Sequence, residues 1–170
     1  MQSLKRHRYN RNNYPKIEMI NTYTMSENNK KHWETVYKIK QSDEVSWAQA
    51  VPQSSLDFIH AFNVPKTARI IDVGGGDSKL VDFLIEEGYE NITVLDISEV
   101  ALTRAKQRLG NKSKKINWVV SDVTEYRPDR KFDVWHDRAT FHFLTTKEKI
   151  SSYINIAKHA VSGSLAMATF

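Results

Sequence analysis

From Arg69 onward, short apolar runs alternate with stretches of helical periodicity, and this alternation restricts the fold more than any other feature of the chain. Arg69–Val73 is an apolar run stopped by Gly74-Gly75-Gly76, the pattern of a buried strand entering a tight turn. Leu80, Val81, Phe83, Leu84 and Ile85 then supply a helical face that ends at Gly88, a residue suited to a helix C-terminus. Asn91–Asp96 reads as a second strand. Ser98 is a good N-cap for a helix carrying Val100, Ala101, Leu102, Ala105 and Leu109, closed by Gly110. Further strands are predicted at residues 116–121, 132–136 and 164–170, with a helix over 146–161 before the last. Strands alternating with helices predict an α/β fold, a parallel sheet wrapped by helices on both faces. Ahead of it, Trp33, Val36, Tyr37 and Ile39 predict an amphipathic helix over 28–40. A second helix begins at Pro52, with Leu56, Phe58, Ile59 and Phe62 as its buried face, and ends at Pro65.

The 170 residues give room for one domain with a core, and 40% hydrophobic against 26% charged residues is the balance of a soluble globular protein. No apolar run reaches the roughly 18–20 residues of a membrane span, and the basic start leads into polar sequence rather than a signal-peptide core. With zero cysteines there are no disulfides, thiolate metal sites or cysteine nucleophiles, which fits a cytoplasmic location. No His/Asp/Glu group has metal-ligand spacing, so no metal is expected. The net charge of +5 is unevenly spread. Residues 1–24 carry five basic side chains against one acid, while the rest is nearly balanced. Residues 1–27 are therefore read as a basic, disordered leader, with Met25 resembling a fresh start, and nucleic acid is disfavoured as a partner of the domain over 28–170.

Ligands of open α/β sheets bind beyond the carboxyl ends of the strands, so the residues after each strand are read as a set. After the first come Asp72 and the glycine turn, which is either a site for close backbone approach or simply turn geometry. After the second comes Asp96, 24 residues beyond Asp72, able to accept hydrogen bonds from a ribose or to serve as a helix N-terminal acid beside Ser98. Asp122-Val123 could meet an adenine edge with a carboxylate and an apolar contact. His136-Asp137-Arg138 follow the fourth strand, near where the reactive end of a ligand would lie.

Residues 70–76, Ile-Ile-Asp-Val-Gly-Gly-Gly, resemble the first motif of class I S-adenosylmethionine-dependent methyltransferases, and Val94-Leu95-Asp96-Ile97-Ser98 resembles their acidic strand-two motif. The segment from Phe132 to Leu144, with His32-Trp33-Glu34-Thr35-Val36-Tyr37 and Val45-Ser46-Trp47, is similar to a small bacterial branch labelled by thiopurine or tellurite resistance. The resemblance covers residues 28–170. It implies a Rossmann-like fold with S-adenosylmethionine as methyl donor and a small-molecule or protein acceptor. It also implies cofactor contacts from Asp72, Gly74, Gly75, Gly76, Asp96, Ile97, Asp122 and Val123, with the front helix and Trp47 closing over the cofactor. Two departures stand out: the third glycine of the family pattern falls on Ser78, and the chain stops inside its fifth strand, so the fold is expected to be truncated there, without the closing strands.

A nicotinamide dehydrogenase would want a third glycine where Lys79 stands, and Asp72 suits a cofactor amine better than a pyrophosphate. Methylation of nucleic-acid amines would favour an Asn/Asp-Pro-Pro-aromatic tetrapeptide where Asp137-Arg138-Ala139-Thr140 stands. A cofactor-binding scaffold without activity is the reading from a different class. For chemistry near the methyl group the candidates are Asp137, His136 and His142, with Asp137 preferred; His142 also suits packing between Phe141 and Phe143, and Arg138 either an acidic substrate or Asp133.

Overall fold

The computed structural model describes residues 22–41, 44–45, 48–138 and 140–168, with side chains from residue 27 onward. The elements in chain order are α1 (Thr22–Ile39), α2 (Gln53–Ala61), β1 (Arg69–Val73), α3 (Leu80–Glu86), β2 (Asn91–Asp96), α4 (Glu99–Leu109), β3 (Asn117–Val120), β4 (Phe132–Asp137), α5 (Lys147–Ala160) and β5 (Val161–Met167). The strands form one sheet in the order β3-β2-β1-β4-β5, every pairing parallel. The chain winds outward from β1 to β3 and then returns to the far side of β1, so the order reverses between β1 and β4. That reversal opens a crevice at the carboxyl ends of the strands.

Strand alternation divides the interior into two layers. Ile70, Val94 and Val134 project to one face, where Leu56 and Ile59 of α2, Leu80 and Leu84 of α3 and Leu102 of α4 cover them. Ile71, Leu95 and Trp135 project to the other, against Tyr153, Ile156 and Ala157 of α5. Each fully buried aliphatic side chain in these layers contributes about 1.5–3 kcal/mol. Side chains cap two helices, one of them at the Ser98 position that the sequence predicts. Ser98 Oγ accepts from Ala101 N–H at 3.2 Å, and Thr146 Oγ1 accepts from Lys149 N–H at 3.3 Å.

Three expectations are corrected. Helix α1 begins at Thr22, earlier than 28, and Ile39 is exposed at its end. In α2, Phe58 is 48% exposed, because two positions of helix carry it about 200° round from the buried Leu56. Strand β5 starts at Val161 rather than 164, directly out of α5. Ser162 Oγ donates to Phe132 O at 3.0 Å, and Gly163 lies against the Asp133 carbonyl, where a Cβ would have no room.

Candidate functional site

The turn after β1 is built for glycine. Gly74 and Gly76 have φ of 67° and 46°, the left-handed region that other residues enter at a cost. The N–H groups of Gly74 and Gly75 both donate to Leu95 O, at 2.7 and 3.2 Å, which ties the turn to the end of β2. A Cβ on Gly74 would collide with the Thr140 hydroxyl. One on Gly75 would lie 2.6 Å from Asp72 Oδ2, and one on Gly76 would lie 2.6 Å from the Tyr37 hydroxyl and 3.1 Å from Asp96 Oδ2. Ser78 sits at the family's third glycine position without strain, since Asn63 is the sole non-glycine residue with positive φ among those described. Its N–H donates to Gly75 O at 2.8 Å and its Oγ accepts from Leu80 N–H at 3.1 Å, so the serine serves as a turn and cap residue. From α4, Arg108 grips the end of the turn: its guanidinium donates to Ser78 O and Asp82 and pairs with Asp77.

Asp72, Asp96 and His136 share the parity of Ile70, Val94 and Val134, and so leave the sheet on the same side. Asp72 Oδ1 and His136 Nδ1 are 2.8 Å apart, both buried below the glycine turn. Asp96 is 6% exposed and accepts from Ser98 N–H at 2.8 Å and from the backbone of Gly76. Burial pushes its carboxyl up to about 7; the two backbone N–H groups pull it down, while Asp72 and Glu34 add upward pressure. Asp122 accepts from Thr124 N–H and Oγ1 at 2.9 and 2.7 Å, and its other oxygen lies 3.9 Å from Lys149 Nζ.

Helix α1 forms the roof, and its C-terminal half is held by α4. The Glu34 carboxylate accepts from Glu99 N–H at 2.7 Å, capping the α4 N-terminus from outside, and Arg104 donates to Lys40 O at 2.8 Å just past the end of α1. The Trp33 ring meets the Phe143 ring edge-on at 4.9 Å, joining the roof to the segment after β4. The cavity so enclosed has a volume of about 590 Å³, within the range of small-molecule sites. Gly74, Asp96, Ile97, Asp122 and Val123 line it on one side, and Tyr37 and Thr140 also face it.

Asp137 lies elsewhere. It is fully buried on the α5 side of the sheet, where it accepts from Tyr153 Oη at 2.7 Å, Thr140 N–H at 2.7 Å and Phe141 N–H at 3.2 Å. Tyr153 Oη in turn accepts from Trp135 Nε1 at 2.9 Å. Burial raises the Asp137 carboxyl above the usual carboxylate range and, with the nearby Asp137, raises the Tyr153 hydroxyl above the usual tyrosine range. Of the other candidates, His142 lines the cavity, and Asp133 pairs with Arg69 at the far end of β4 rather than with Arg138. Trp47 lies outside the described residues. The sequence did not single out Glu34, Arg108 or Tyr153, whose partners lie 16 to 66 residues away along the chain. Among the described residues, no group of three or more His, Asp or Glu could hold a metal, and no helix is long and apolar enough to cross a membrane.

Residues 70–163 match the family described as a methyltransferase domain. The eEF1A lysine and N-terminal methyltransferase of Mus musculus is 27% identical over 119 residues, which cover 69% of this chain and 17% of that protein. Malonyl-[acyl-carrier protein] O-methyltransferase 1 of Ilyobacter polytropus is 28% identical over 114 residues, covering 66% of this chain and 41% of the relative. The chain thus matches less than half the length of either relative. A solved structure described as a DhpI-SAM-HEP complex has a TM-score of 0.66 at 14% identity, covering 85% of this chain and 64% of that one, a likeness of fold.

Proposed function

The chain belongs to the methyltransferase-domain family, and on that premise we propose that it transfers a methyl group from S-adenosylmethionine to a small-molecule or protein-borne acceptor. The observation that carries this reading is the cavity at the carboxyl ends of β1, β2 and β3, where the glycine turn meets a buried carboxylate. When bound, S-adenosylmethionine supplies a methyl group on a positively charged sulfur. Asp96 accepts hydrogen bonds from the ribose hydroxyls, with Ile97 beside it, and Asp122 with Val123 faces the adenine. Gly74, Gly75 and Gly76 bring the backbone close to the methionine portion, and the turn that does so admits no Cβ, since one there would meet Thr140, Asp72 or Tyr37. Asp72, braced by His136, sets the shape of the turn. The resemblance alone supports Trp47 closing over the cofactor, and it alone supports the narrower kinship with the thiopurine- and tellurite-type branch.

Asp137 is a positioning residue in this reading. Its oxygens hold the backbone of Thr140 and Phe141, and so fix the wall nearest the methyl group without touching it. Catalysis then rests on orientation and on exclusion of water beneath the α1 roof, terms that supply much of the barrier reduction in such displacements. Calorimetric titration of the chain with S-adenosylmethionine and with S-adenosylhomocysteine tests the assignment. Dissociation constants of about 1 µM–1 mM are expected for both, in the usual range for enzyme ligands. Absence of heat with either would remove the reading. Binding of both without methyl transfer to any acceptor would favour a non-catalytic binding domain.

A further inference from the structure

The lining of the cavity beyond the strand ends has a chemical preference of its own. With the ends of β1, β2 and β3 given to the cofactor, the remaining lining is Asn29, Trp33, Tyr37, Thr140, His142, Phe143 and Leu144. Among the described lining residues there is no lysine or arginine, and the formal charges, Asp96 and Asp122, are both acidic. Of the cations nearby, Arg104 and Arg108 face Asp77 and Asp82, Lys149 lies by Asp122, and Lys30 stands in the adjoining groove. Phe143 is 46% exposed beside the half-buried Trp33. An acceptor bearing a carboxylate or phosphate would lose its hydration here against Asn29, Tyr37, Thr140 and His142, without a lysine or arginine in the described lining to pair with and with two acids across the cavity. A cation meets an attractive field and ring faces, which bind ammonium groups.

We propose that the acceptor is an amine, entering as an ammonium past Trp33 and Phe143. This rests on the methyl-transfer reading above. The ammonium gives one proton to water at the mouth. The nitrogen lone pair then forms the N–CH3 bond while the S–CH3 bond breaks, and that electron pair stays on sulfur as a neutral thioether. No oxidant or reductant is involved, and one proton is released per methyl group.

The test uses the full chain saturated with S-adenosylhomocysteine and two probes of one shape, phenethylamine and phenylacetate, followed by calorimetry. Phenethylamine should bind at least about tenfold more tightly than phenylacetate. Trp33→Leu and Phe143→Leu should each weaken the amine by about 5–30-fold, the span of a desolvated cation–ring contact, and leave phenylacetate unchanged. Retained S-adenosylhomocysteine binding shows that each variant is folded, and the exposed Phe143 serves as the milder substitution. Equal or tighter binding of phenylacetate, no binding of either probe, or an amine affinity indifferent to both substitutions would overturn the proposal while the methyl-transfer reading stands. Failure of wild-type chain to bind S-adenosylhomocysteine would overturn both.

Discussion

Raising the pH from 6 to 8 should tighten S-adenosylmethionine binding about tenfold, with the change running through Asp96. Its carboxyl is held near 7 in the cofactor-free chain by burial, with Asp72 and Glu34 adding to the rise against the Ser98 and Gly76 N–H groups. Two ribose hydroxyls can both donate only to an ionised carboxylate, so the competent fraction follows the titration. The apparent dissociation constant is then multiplied by about 11 at pH 6, about 2 at pH 7 and about 1.1 at pH 8, close to 1.4 kcal/mol overall. Calorimetry in two buffers of different ionisation enthalpy should find about 0.9 proton released on binding at pH 6 and about 0.1 at pH 8. Asp96→Asn should bind roughly 30–1000-fold more weakly, as expected for one or two lost charge-assisted hydrogen bonds, and with a flat pH profile. Stability runs the other way. A carboxyl whose folded value is raised contributes stability below its unfolded value near 3.8 and loses it as pH climbs through about 7. That interval sets a ceiling of roughly 4 kcal/mol. The Gly76 N–H would face the new amide, so the net gain for cofactor-free Asp96→Asn at pH 8 is about 1–2 kcal/mol, or roughly 2–8 °C in melting temperature. Flat wild-type affinity between pH 6 and 8, or an Asp96→Asn variant that titrates like wild type, would refute the reasoning.

Tyr153→Phe removes a hydroxyl that joins Trp135 to Asp137; it should cost about 1–3 kcal/mol in denaturant unfolding and lower kcat while S-adenosylmethionine affinity changes little. Gly75→Ala places a methyl 2.6 Å from Asp72 Oδ2 and 2.7 Å from Val94 Cγ1, and calorimetry should find cofactor binding lost, whereas Ser78→Gly should change it by less than about tenfold and cost about 0.5–1 kcal/mol in thermal unfolding. Arg108→Ala removes one ion pair from Asp77 and one from Asp82; a stability loss of about 1–2 kcal/mol is expected in urea, shrinking at high salt because the pairs are partly exposed.

The sheet was legible because its strands are short, mainly apolar runs, the first two followed closely by glycine or by a helix cap, and because Ser98 caps locally. The cavity wall was legible for the same local reason: Asp96 and Asp122 follow strand ends directly. What joins distant strands was not. The Asp72–His136 contact exists because β4 lies next to β1, and nothing within either segment states that adjacency. Asp137 is the instructive case. In register it lies opposite Val73, whereas His136 lies opposite Asp72, so parity sends Asp137 toward Tyr153 and away from the cavity. The parity was present in the run Phe132–Asp137, but deciding which face is which requires knowing what covers each one. Phe58 was misplaced by treating helical spacing as a list of apolar residues rather than as an angle.

The shared side taken by Asp72, Asp96 and His136 also bears on how faithfully the sheet assembles. If strands carried apolar residues alone, they could slide past one another with little loss of contact. Slipping β4 by one residue against β1 would turn His136 into the apolar layer under α5 and lift Trp135 toward the glycine turn, stranding a polar ring and a buried acid at once. The groups assigned to the ligand end of the sheet therefore also mark alignment during folding. Substituting His136 or Asp72 with an apolar residue would be expected to populate misregistered chains even where the native state remained stable.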